Sequence, residues 1–422
     1  MTDRPFLVQD QERSIALLQL SAQFRKGHMT PSKTKVEEAQ RMKKTGGSQI
    51  RSVHARLVRI PLQVETAFAT RTITARDYVV VKVRSADGIE GLGYTYAGSR
   101  AGSVTLEAIE QLFAPTLIGE NPLRVEALWE KLYRESLLHG RAGSVMRGLS
   151  AVDIAIWDLN ARSLGVPLWQ LLGGHAEGKV KCYASGGYYR PGKTTKHLAD
   201  EMGGYAAAGF KAVKMKVGLR DSTEEVERIR AVRESIGPDV HLFLDANNAW
   251  PDLFTALAFL RRFEPYLPGW IEEPFSPDDI ESHARLAAQS PIPVATGEIE
   301  AGRWRFRELL QARAAHVLQT DALVCGGITE WRRITGLAAS YGIPVCPHAW
   351  HDIHVHCTAS QPNCPYQEYF VDNSIINTQV MFDREMEIKD GHLILSTEPG
   401  LAFHFDDKAM DKYGVGPWRA VG

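Results

Sequence analysis

A regular alternation of two kinds of segment, from Gly174 onward, constrains the fold of this 422-residue chain more than any other feature. Short apolar runs typical of buried strands are separated by amphipathic stretches with helical spacing. Because each parallel connection needs a crossover helix, eight such runs predict a parallel (β/α)8-type barrel, a modified TIM barrel. The eight runs are Val180–Ala184, Ala212–Val217, His241–Ala246, Trp270–Glu272, Ile292–Ala295, His316–Thr320, Ile343–Cys346 and Tyr366–Tyr369.

The preceding residues have a different pattern, which predicts an α+β N-terminal capping domain. Apolar or alternating runs at Val53–Pro61, Tyr78–Val83 and Gly91–Tyr96 predict a meander of strands, and amphipathic helices follow. Residues 1–50 are rich in Lys and Arg and form an N-terminal extension of unknown role. The predicted domains are the cap (51–174), the barrel (175–390) and a C-terminal segment that returns to the cap (391–422).

Composition excludes several classes of protein. The chain has 49 Lys and Arg against 50 Asp and Glu, so its formal charge of −1 offers no general attraction to nucleic acid or anionic membrane. No apolar run reaches the roughly 18 residues of a membrane helix, and the start of the chain does not resemble a signal peptide. Five scattered cysteines fit reduced thiols better than a disulfide framework. We therefore expect a cytoplasmic protein that binds neither nucleic acid nor membrane.

Ionisable residues stand where the predicted strands end, and nearly every barrel repeat supplies one. They follow one another at intervals of roughly 20 to 30 positions, the length of one βα unit. The rim at the carboxyl ends of the strands is where barrel enzymes place their active sites. The rim residues are Lys214, Lys216, Asp245, Glu272, Glu298, Asp321, His348 and Glu368.

These residue types suggest a particular chemistry. Three carboxylates on consecutive strands, Asp245, Glu272 and Glu298, suit a hard divalent cation such as Mg²⁺. A lysine beside a second cation can have a depressed pKa and serve as a base, and a histidine oriented by a carboxylate is a general acid or base. Together they indicate removal of a proton next to a carboxylate, with the metal stabilising the developing enediolate charge.

The motifs that carry these residues resemble the enolase superfamily, and the KxK motif with an Asp/His dyad resembles its mandelate racemase subgroup. They are Val213-Lys214-Met215-Lys216-Val217-Gly218, Leu244-Asp245-Ala246-Asn247, Trp270-Ile271-Glu272-Glu273-Pro274, Thr296-Gly297-Glu298, Asp321 with Gly326-Gly327, and Pro347-His348. The resemblance covers residues 51–405.

The resemblance implies one Mg²⁺ per subunit, held by the three carboxylates. Lys216 would be the base on one face of the substrate, and Lys214 would tune it and contact the substrate carboxylate. His348, paired with Asp321, would serve the opposite face, and Glu368 would donate a hydrogen bond to the enolate. It also implies a homo-oligomer, with octamers common in the subgroup.

Polar and cationic residues near the predicted lid favour a polyhydroxylated acid as substrate. The lid is expected from the cap loops Val64–Asp77 and Tyr94–Ser103, and the candidate substrate-binding residues are Lys214, Asn247, Arg71, Tyr188 and Arg190. We therefore expect a hydro-lyase, a carbon–oxygen lyase that converts an aldonate or aldarate to its 2-keto-3-deoxy acid. The alternatives are a racemase or epimerase of a 2-hydroxy or amino acid, and a non-catalytic member of the family.

Three other patterns favour different sites but are weaker. His348, His351, His354 and His356 could form a zinc cluster, but zinc-dependent barrel hydrolases place an HxH pair on the first strand, and this one follows the seventh. His354 and His356 therefore fit packing or surface positions better. Gly326-Gly327 could be a phosphate loop, but no Lys-Ser/Thr follows, and tight packing between strand and helix explains the pair. A Schiff-base lysine would leave three adjacent carboxylates without a role. Glu273 is expected to make a structural contact beside the metal ligands.

Overall fold

The cap is built on an antiparallel sheet of four strands. In the computed structural model, which describes residues 48–422, the sheet order places the last strand of the chain beside the first. The predicted extension therefore lies outside the described residues, except for its last three positions. In chain order the strands are β1 (Ile50–Phe68), β2 (Arg71–Ser85), β3 (Glu90–Tyr96) and β13 (Gly414–Val421), and β13 pairs with β1.

Helices cover the cap sheet, and two glycines of β3 let the longest of them lie directly on the strand. A Cβ atom at Gly91 or Gly93 would lie 2.2 Å from a helix carbonyl oxygen, that of Ala155 or Ala151 respectively. The helices are α1 (Gly102–Ala108), α2 (Ala114–Leu117), α3 (Val125–Ser136), α4 (Gly143–Leu164) and α5 (Leu168–Leu171), with a π-helical turn at Ile109–Phe113 joining α1 to α2.

Both faces of the central cap strand are buried, which explains why β2 is apolar without alternation. Val80 belongs to the apolar cluster that contains the barrel residue Trp350. Val79 belongs to the cluster of the cap helices, with Leu149 of α4. A strand that is covered on both sides reads as a continuous apolar run. The cap sheet is therefore packed between its own helices and the barrel.

The second sheet is the barrel, and its parallel ladder follows the order of the chain from β4 to β9. β10 pairs with the free side of β4, and β11 and β12 extend the same side with antiparallel pairing. The strands are β4 (Lys179–Ser185), β5 (Ala212–Lys216), β6 (His241–Asp245), β7 (Pro268–Glu272), β8 (Val294–Thr296), β9 (Val317–Leu318), β10 (Gln367–Phe370), β11 (Ile388–Lys389) and β12 (His392–Ile394).

Helices follow the barrel strands, so the predicted α/β barrel with an α+β cap is confirmed as the fold class. Among residues 48–422, no helix is both long enough and apolar enough to cross a bilayer. The helices are α6 (Thr195–Ala207), α7 (Ser222–Ile236), α8 (Leu253–Phe263), α9 (Ile280–Gln289), α10 (Gly302–Gln311), α11 (Ala322–Cys325), α12 (Gly327–Ser340), α13 (His351–Thr358) and α14 (Asp407–Tyr413), with 3-10 turns at Glu264–Tyr266 and Thr378–Met381.

The predicted seventh strand, Ile343–Cys346, is reduced to a single parallel bridge between Val345 and Leu318. Its Val345 N–H donates to the carbonyl of Asn363 (2.9 Å) and not to a strand. Pro344 has no N–H to offer a ladder, which shortens any strand that contains it. The hydrogen-bonded ladder is therefore not closed between this segment and β10 in the described part of the chain.

The first predicted lid loop is a hairpin rather than a loop. β1 extends to Phe68 and β2 begins at Arg71, so most of Val64–Asp77 is strand. Ala67, near the tip, exchanges two backbone hydrogen bonds with Tyr189 of the barrel, at 3.0 Å and 3.1 Å. The hairpin tip is thereby attached to the loop that follows β4.

Candidate active site

Three carboxylates from three consecutive strands meet at the carboxyl end of the barrel. Asp245 and Glu272 are the last residues of β6 and β7, and Glu298 follows β8 after Gly297. Gly297 has a φ of 128°, and a Cβ there would lie 2.9 Å from the ring of Phe306. Each carboxylate offers one oxygen, and these oxygens lie within 4.8 Å of one another. The donor set and its spacing fit a hard divalent cation, as predicted.

The two lysines of β5 lie against these carboxylates. Lys214 and Lys216 are alternate residues of one strand, so both side chains point to the same side of the barrel wall. The Lys214 Nζ lies 2.7 Å from Glu272 Oε1 and 2.8 Å from Glu368 Oε1. Lys216 forms an ion pair with Asp245. The ammonium groups therefore partly neutralise the carboxylate cluster.

The pKa values of both lysines are raised, contrary to the predicted depression. Burial alone would lower the pKa of Lys214, but the neighbouring carboxylates of Glu272 and Glu368 outweigh it. Burial likewise lowers the pKa of Lys216, and Asp245, Tyr188 and Glu272 together more than offset it. A lysine paired with a carboxylate is held protonated. The carboxylate partners thus have a greater effect on each lysine than the neighbouring lysine does.

Asp321 and His348 form an Asp/His pair close to the carboxylate cluster. The ring of His348 donates from Nδ1 to Asp321 Oδ2 over 2.9 Å, and its Nε2 lies 3.7 Å from Glu298 Oε1. Burial would lower the pKa of His348, but Glu298 and Asp321 raise it to about 9. The dyad predicted from the sequence is therefore assembled, with Nε2 on the side of the carboxylate cluster.

The other histidines near this dyad are not arranged as a zinc site. The Ala322 N–H donates to His354 Nε2 (2.8 Å), so this ring accepts at Nε2 and donates from Nδ1 to the carbonyl of Ala349 (3.0 Å). His354 and His356 are both buried, so neither is a surface residue. Within residues 48–422, the grouping suited to a metal is the carboxylate trio.

A cavity of about 180 Å³ opens above Lys216 and His348, between the cap and the barrel. Arg71, Tyr188 and Asn247, three of the predicted substrate-binding residues, line it. The Asn247 Oδ1 is buried without a hydrogen-bond partner among the described residues, so it is free to bind a ligand. The full lining is Phe68, Arg71, Ile73, Arg76, Tyr96, Gly98, Arg147, Tyr188, Lys216, Asn247, Asn248, Glu273, Glu298, Ile299, Asp321, Val324, His348, Trp350 and Ile376.

Family models match both parts of the chain. Residues 50–173 match the mandelate racemase / muconate lactonizing enzyme N-terminal domain, and residues 197–409 match the enolase C-terminal domain-like family. The chain belongs to the mandelate racemase subgroup of the enolase superfamily.

Several members of this superfamily are similar over most of their length. The arabinonate dehydratase of Saccharolobus solfataricus is 34% identical over 344 residues, which cover 80% of this chain and 90% of that protein. The L-talarate/galactarate dehydratase of Salmonella typhimurium is 33% identical over 373 residues, covering 86% and 90%. The structure of L-talarate dehydratase from Polaromonas sp. JS666, complexed with Mg and L-glucarate, has a TM-score of 0.80 at 32% identity and covers 89% of this chain and 99% of that one.

Five of the residues predicted for this enolase-superfamily site do not line the cavity, namely Asp245, Glu272, Lys214, Glu368 and Arg190. Lys214 and Glu368 are buried, and neither is more than 1% exposed. Arg190 contacts Ser374 Oγ (2.8 Å) and Asp372 Oδ2 (3.0 Å) and lines a different cavity, of about 470 Å³. The substrate contacts predicted for Lys214 and Arg190 therefore stay predictions, and in this structure both side chains contact carboxylates.

The role predicted for Glu368 stays a prediction, and in this structure its carboxylate contacts neighbouring protein groups. Burial raises its pKa, but Lys214 and His348 lower it to about 2. Its Oε2 accepts a hydrogen bond from the Ala349 N–H over 2.7 Å. Because an ionised carboxylate can only accept, Glu368 in this state cannot donate to an enolate. It instead holds Lys214 and the backbone that follows His348.

Two residues at this enolase-superfamily site, Arg147 and Trp350, were not predicted from the sequence. Arg147 reaches the cavity from helix α4 of the cap, where its position in an amphipathic stretch gave no signal. Trp350 contacts the dyad because the backbone adopts φ values of 49° and 33° at Ala349 and Trp350. Left-handed backbone at non-glycine residues is uncommon and often marks functional sites. The only signal for Trp350 was its position two residues after His348.

Proposed function

We propose that this chain is a Mg²⁺-dependent hydro-lyase that converts an acid sugar, an aldonate or aldarate, to its 2-keto-3-deoxy acid. The observation that carries the proposal is the cavity that Lys216 and His348 share beside the three carboxylates. The named dehydratases to which the chain is similar act on acids of this class. Two groups able to move protons, next to a divalent-cation site, suit removal of an α-proton and loss of a β-hydroxyl.

The metal ligands in this proposal are Asp245, Glu272 and Glu298. Mg²⁺ bound there supplies positive charge that stabilises negative charge developing on the substrate carboxylate. Lys214 holds Glu272 in place through two hydrogen bonds, of 2.7 Å and 2.8 Å. Trp270 Nε1 donates a third, of 3.2 Å, to the same carboxylate. These contacts orient the ligand set, as groups around metal ligands commonly do.

The proton transfers are assigned to two side chains. Lys216 accepts the proton from the carbon next to the substrate carboxylate once it is neutral. Mg²⁺ bound to Asp245 would offset the negative charge that holds Lys216 protonated and so would lower its pKa. His348 then gives its Nε2 proton to the departing β-hydroxyl, which leaves as water. Asp321 accepts from Nδ1 and so keeps Nε2 directed into the cavity. The resulting enol tautomerises to the 2-keto-3-deoxy product.

The experiment is incubation of the purified protein with Mg²⁺ and a panel of acid sugars, with 2-keto acids trapped by semicarbazide. We expect product from at least one acid sugar in the wild type, and none from Lys216→Ala or His348→Asn. Lys211→Ala is the matched control, because Lys211 is exposed and precedes the same strand. Full turnover in both active-site variants would contradict the assignment.

A second candidate, racemisation or epimerisation, is favoured by one observation. Lys216 and His348 reach the same cavity from different parts of the barrel, so the intermediate could be reprotonated by either. Incorporation of deuterium from solvent at C2 without formation of a keto acid would identify this reaction. A protein that shows neither signal across the panel would fit the non-catalytic alternative.

Assembly and cellular location remain predictions. The homo-oligomer, with an octamer as one form, is implied by the subgroup and can be measured by light scattering coupled to size-exclusion chromatography. Absence of binding to nucleic acid and membranes, together with a cytoplasmic location, is expected from the composition alone. The domain boundaries proposed above can be tested by limited proteolysis.

A further inference from the structure

Two arginines on the cap side of the catalytic cavity are not paired directly with a carboxylate of the described residues. Arg76 of β2 and Arg147 of α4 both line the cavity, and their guanidinium carbons lie 5.2 Å and 5.7 Å from the centre of the Tyr96 ring. Arg76 Nε donates to the carbonyl of Ile375 over 2.9 Å, and Arg147 donates to the carbonyl of Tyr96. Within residues 48–422, neither guanidinium forms an ion pair.

Such an arrangement is costly without a ligand. Arg76 is only 4% exposed, and removing a charge from water is unfavourable unless an opposite charge compensates it. Burial lowers the pKa of Arg147 even though Asp321 and Glu298 act in the opposite direction, whereas neighbouring tyrosines raise the pKa of Arg76 against the effect of its burial. A guanidinium has five N–H donors, and one carbonyl acceptor for each arginine leaves most of them available.

The charges of the cavity are divided between its two sides. The barrel side contributes the carboxylates Glu273, Glu298 and Asp321, whereas the cap side contributes no acidic residue to the lining. An acid sugar whose reacting carboxylate lies at the metal end must extend its other end toward the cap. The chemistry of that far end therefore determines how well it matches the two guanidinium groups.

We propose that Arg76 and Arg147 bind a second carboxylate at the far end of the substrate, so that the chain prefers aldarates to aldonates. This inference rests on the proposed function and specifies the substrate class within it. A carboxylate can accept two parallel hydrogen bonds from one guanidinium. The hydroxymethyl group of an aldonate carries no charge and leaves both cations uncompensated.

The test compares acids that differ only at the far end. The kcat/KM of wild-type protein is measured with galactarate and galactonate, and with glucarate and gluconate. We expect the better dicarboxylate to exceed its monocarboxylate partner by at least about tenfold. Arg147→Gln should lower kcat/KM for that dicarboxylate by about 10- to 100-fold and for the monocarboxylate by less than about threefold. Arg147→Lys should retain part of the preference.

The control variant is Arg141→Gln, which removes the same charge from an exposed position before α4 and should leave the preference unchanged. Equal losses for both acids in Arg147→Gln, or a wild type that prefers the monocarboxylate, would overturn the proposal while the dehydratase assignment stands.

A binding measurement separates this proposal from the proposed function. If no acid sugar is dehydrated, calorimetric titration of the wild type with galactarate and galactonate in the presence of Mg²⁺ still reports the preference. Tighter binding of galactarate that is lost in Arg147→Gln supports the inference. Equal affinity for both acids, or binding of neither, overturns it.

Discussion

Asp321 connects the acid–base side of the site to its surroundings. Its Oδ2 accepts from His348 Nδ1 (2.9 Å) and from Trp350 Nε1 (2.8 Å), and its Oδ1 accepts from the Leu323 N–H (2.7 Å). Three donors leave this carboxylate little rotational freedom. Since orientation of an acid–base residue by its neighbours affects catalysis, Trp350 is a positioning residue for the dyad.

Replacing Trp350 by Phe removes one donor to Asp321 while keeping an aromatic ring. We expect kcat to fall about tenfold, because the carboxylate is less well fixed, and KM to change by less than about threefold. Trp157→Phe is the matched control, since it removes an indole hydrogen bond of 2.8 Å to Thr329 away from the cavity. Steady-state kinetics on both variants make the test, and similar kcat values would contradict a positioning role.

At the residue scale, the sequence predicted the site residues that stand at strand ends. It did not predict site residues that reach the cavity from distant parts of the chain. Asp245, Glu272 and Glu298 were found because strand ends in a parallel barrel meet at one rim. Arg147 comes from another domain, so no local pattern connects it with these residues. Arg190 follows β4, as predicted, but Asp372 and Ser374 hold it away from the cavity.

At the scale of elements, the glycine pair Gly326-Gly327 joins the short helix α11 to α12. Gly327, the first residue of α12, has a φ of 87°, and a Cβ there would lie 2.3 Å from Asp153 Oδ2. Asp153 belongs to α4 of the cap and accepts from the Thr329 N–H (2.9 Å) and hydroxyl (2.6 Å). The pair therefore serves tight packing of helix against helix, rather than a phosphate site.

Two glycine substitutions in α12 should have opposite effects. Gly327→Ala introduces a left-handed residue and a clash with Asp153, and should lower the free energy of unfolding by about 2–4 kcal/mol. Gly336→Ala places a methyl group in open space on an exposed helical position and should raise it by about 0.5–1 kcal/mol. Urea unfolding of both variants tests this, and equal stabilities would refute the packing argument.

Element types were predictable because their periodicity is strong, whereas strand lengths depended on single residues. The α7 helix was expected from Thr223 and begins at Ser222, after Asp221 caps it. The predicted seventh strand is only a single bridge, because Pro344 has no N–H to donate to its neighbour. The lid loop became a hairpin because contacts with Tyr189, remote in sequence, extend the pairing of β1 with β2.

At the scale of the whole molecule, the cap and barrel are joined by polar contacts around the site. Thr95 Oγ1 donates to the carbonyl of Leu323 (2.7 Å), and Tyr94 donates its hydroxyl proton to Asp352 Oδ2 (2.6 Å). The first of these hydrogen bonds reaches the backbone two residues after Asp321. The cap therefore supplies part of the cavity lining and also contacts the backbone beside the dyad.

Stability should depend on pH through His351, which is buried near this junction. Burial lowers the pKa of His351 to about 4, below the ordinary value of 6.5. Between pH 6.5 and pH 4, His351 therefore binds a proton in the unfolded chain but not in the folded chain. Stability therefore falls as pH falls through this window, by about 2 kcal/mol between pH 7 and pH 5.

Urea unfolding of wild type and His351→Asn at both pH values isolates this effect, because the loss of packing is common to both measurements. Between pH 7 and pH 5, the free energy of unfolding of the variant should fall by about 2 kcal/mol less than that of the wild type. The same pH dependence in both proteins would show that His351 does not cause it.

The central claim is that three carboxylates from three strands bind one divalent cation. The most direct measurement is titration with Mn²⁺ followed by electron paramagnetic resonance, on wild type, Asp245→Asn, Glu298→Gln and the exposed control Glu281→Gln. We predict one ion per chain in the wild type and control, and at least about 100-fold weaker binding in the two ligand variants. Equal affinity in all four proteins would contradict the claim.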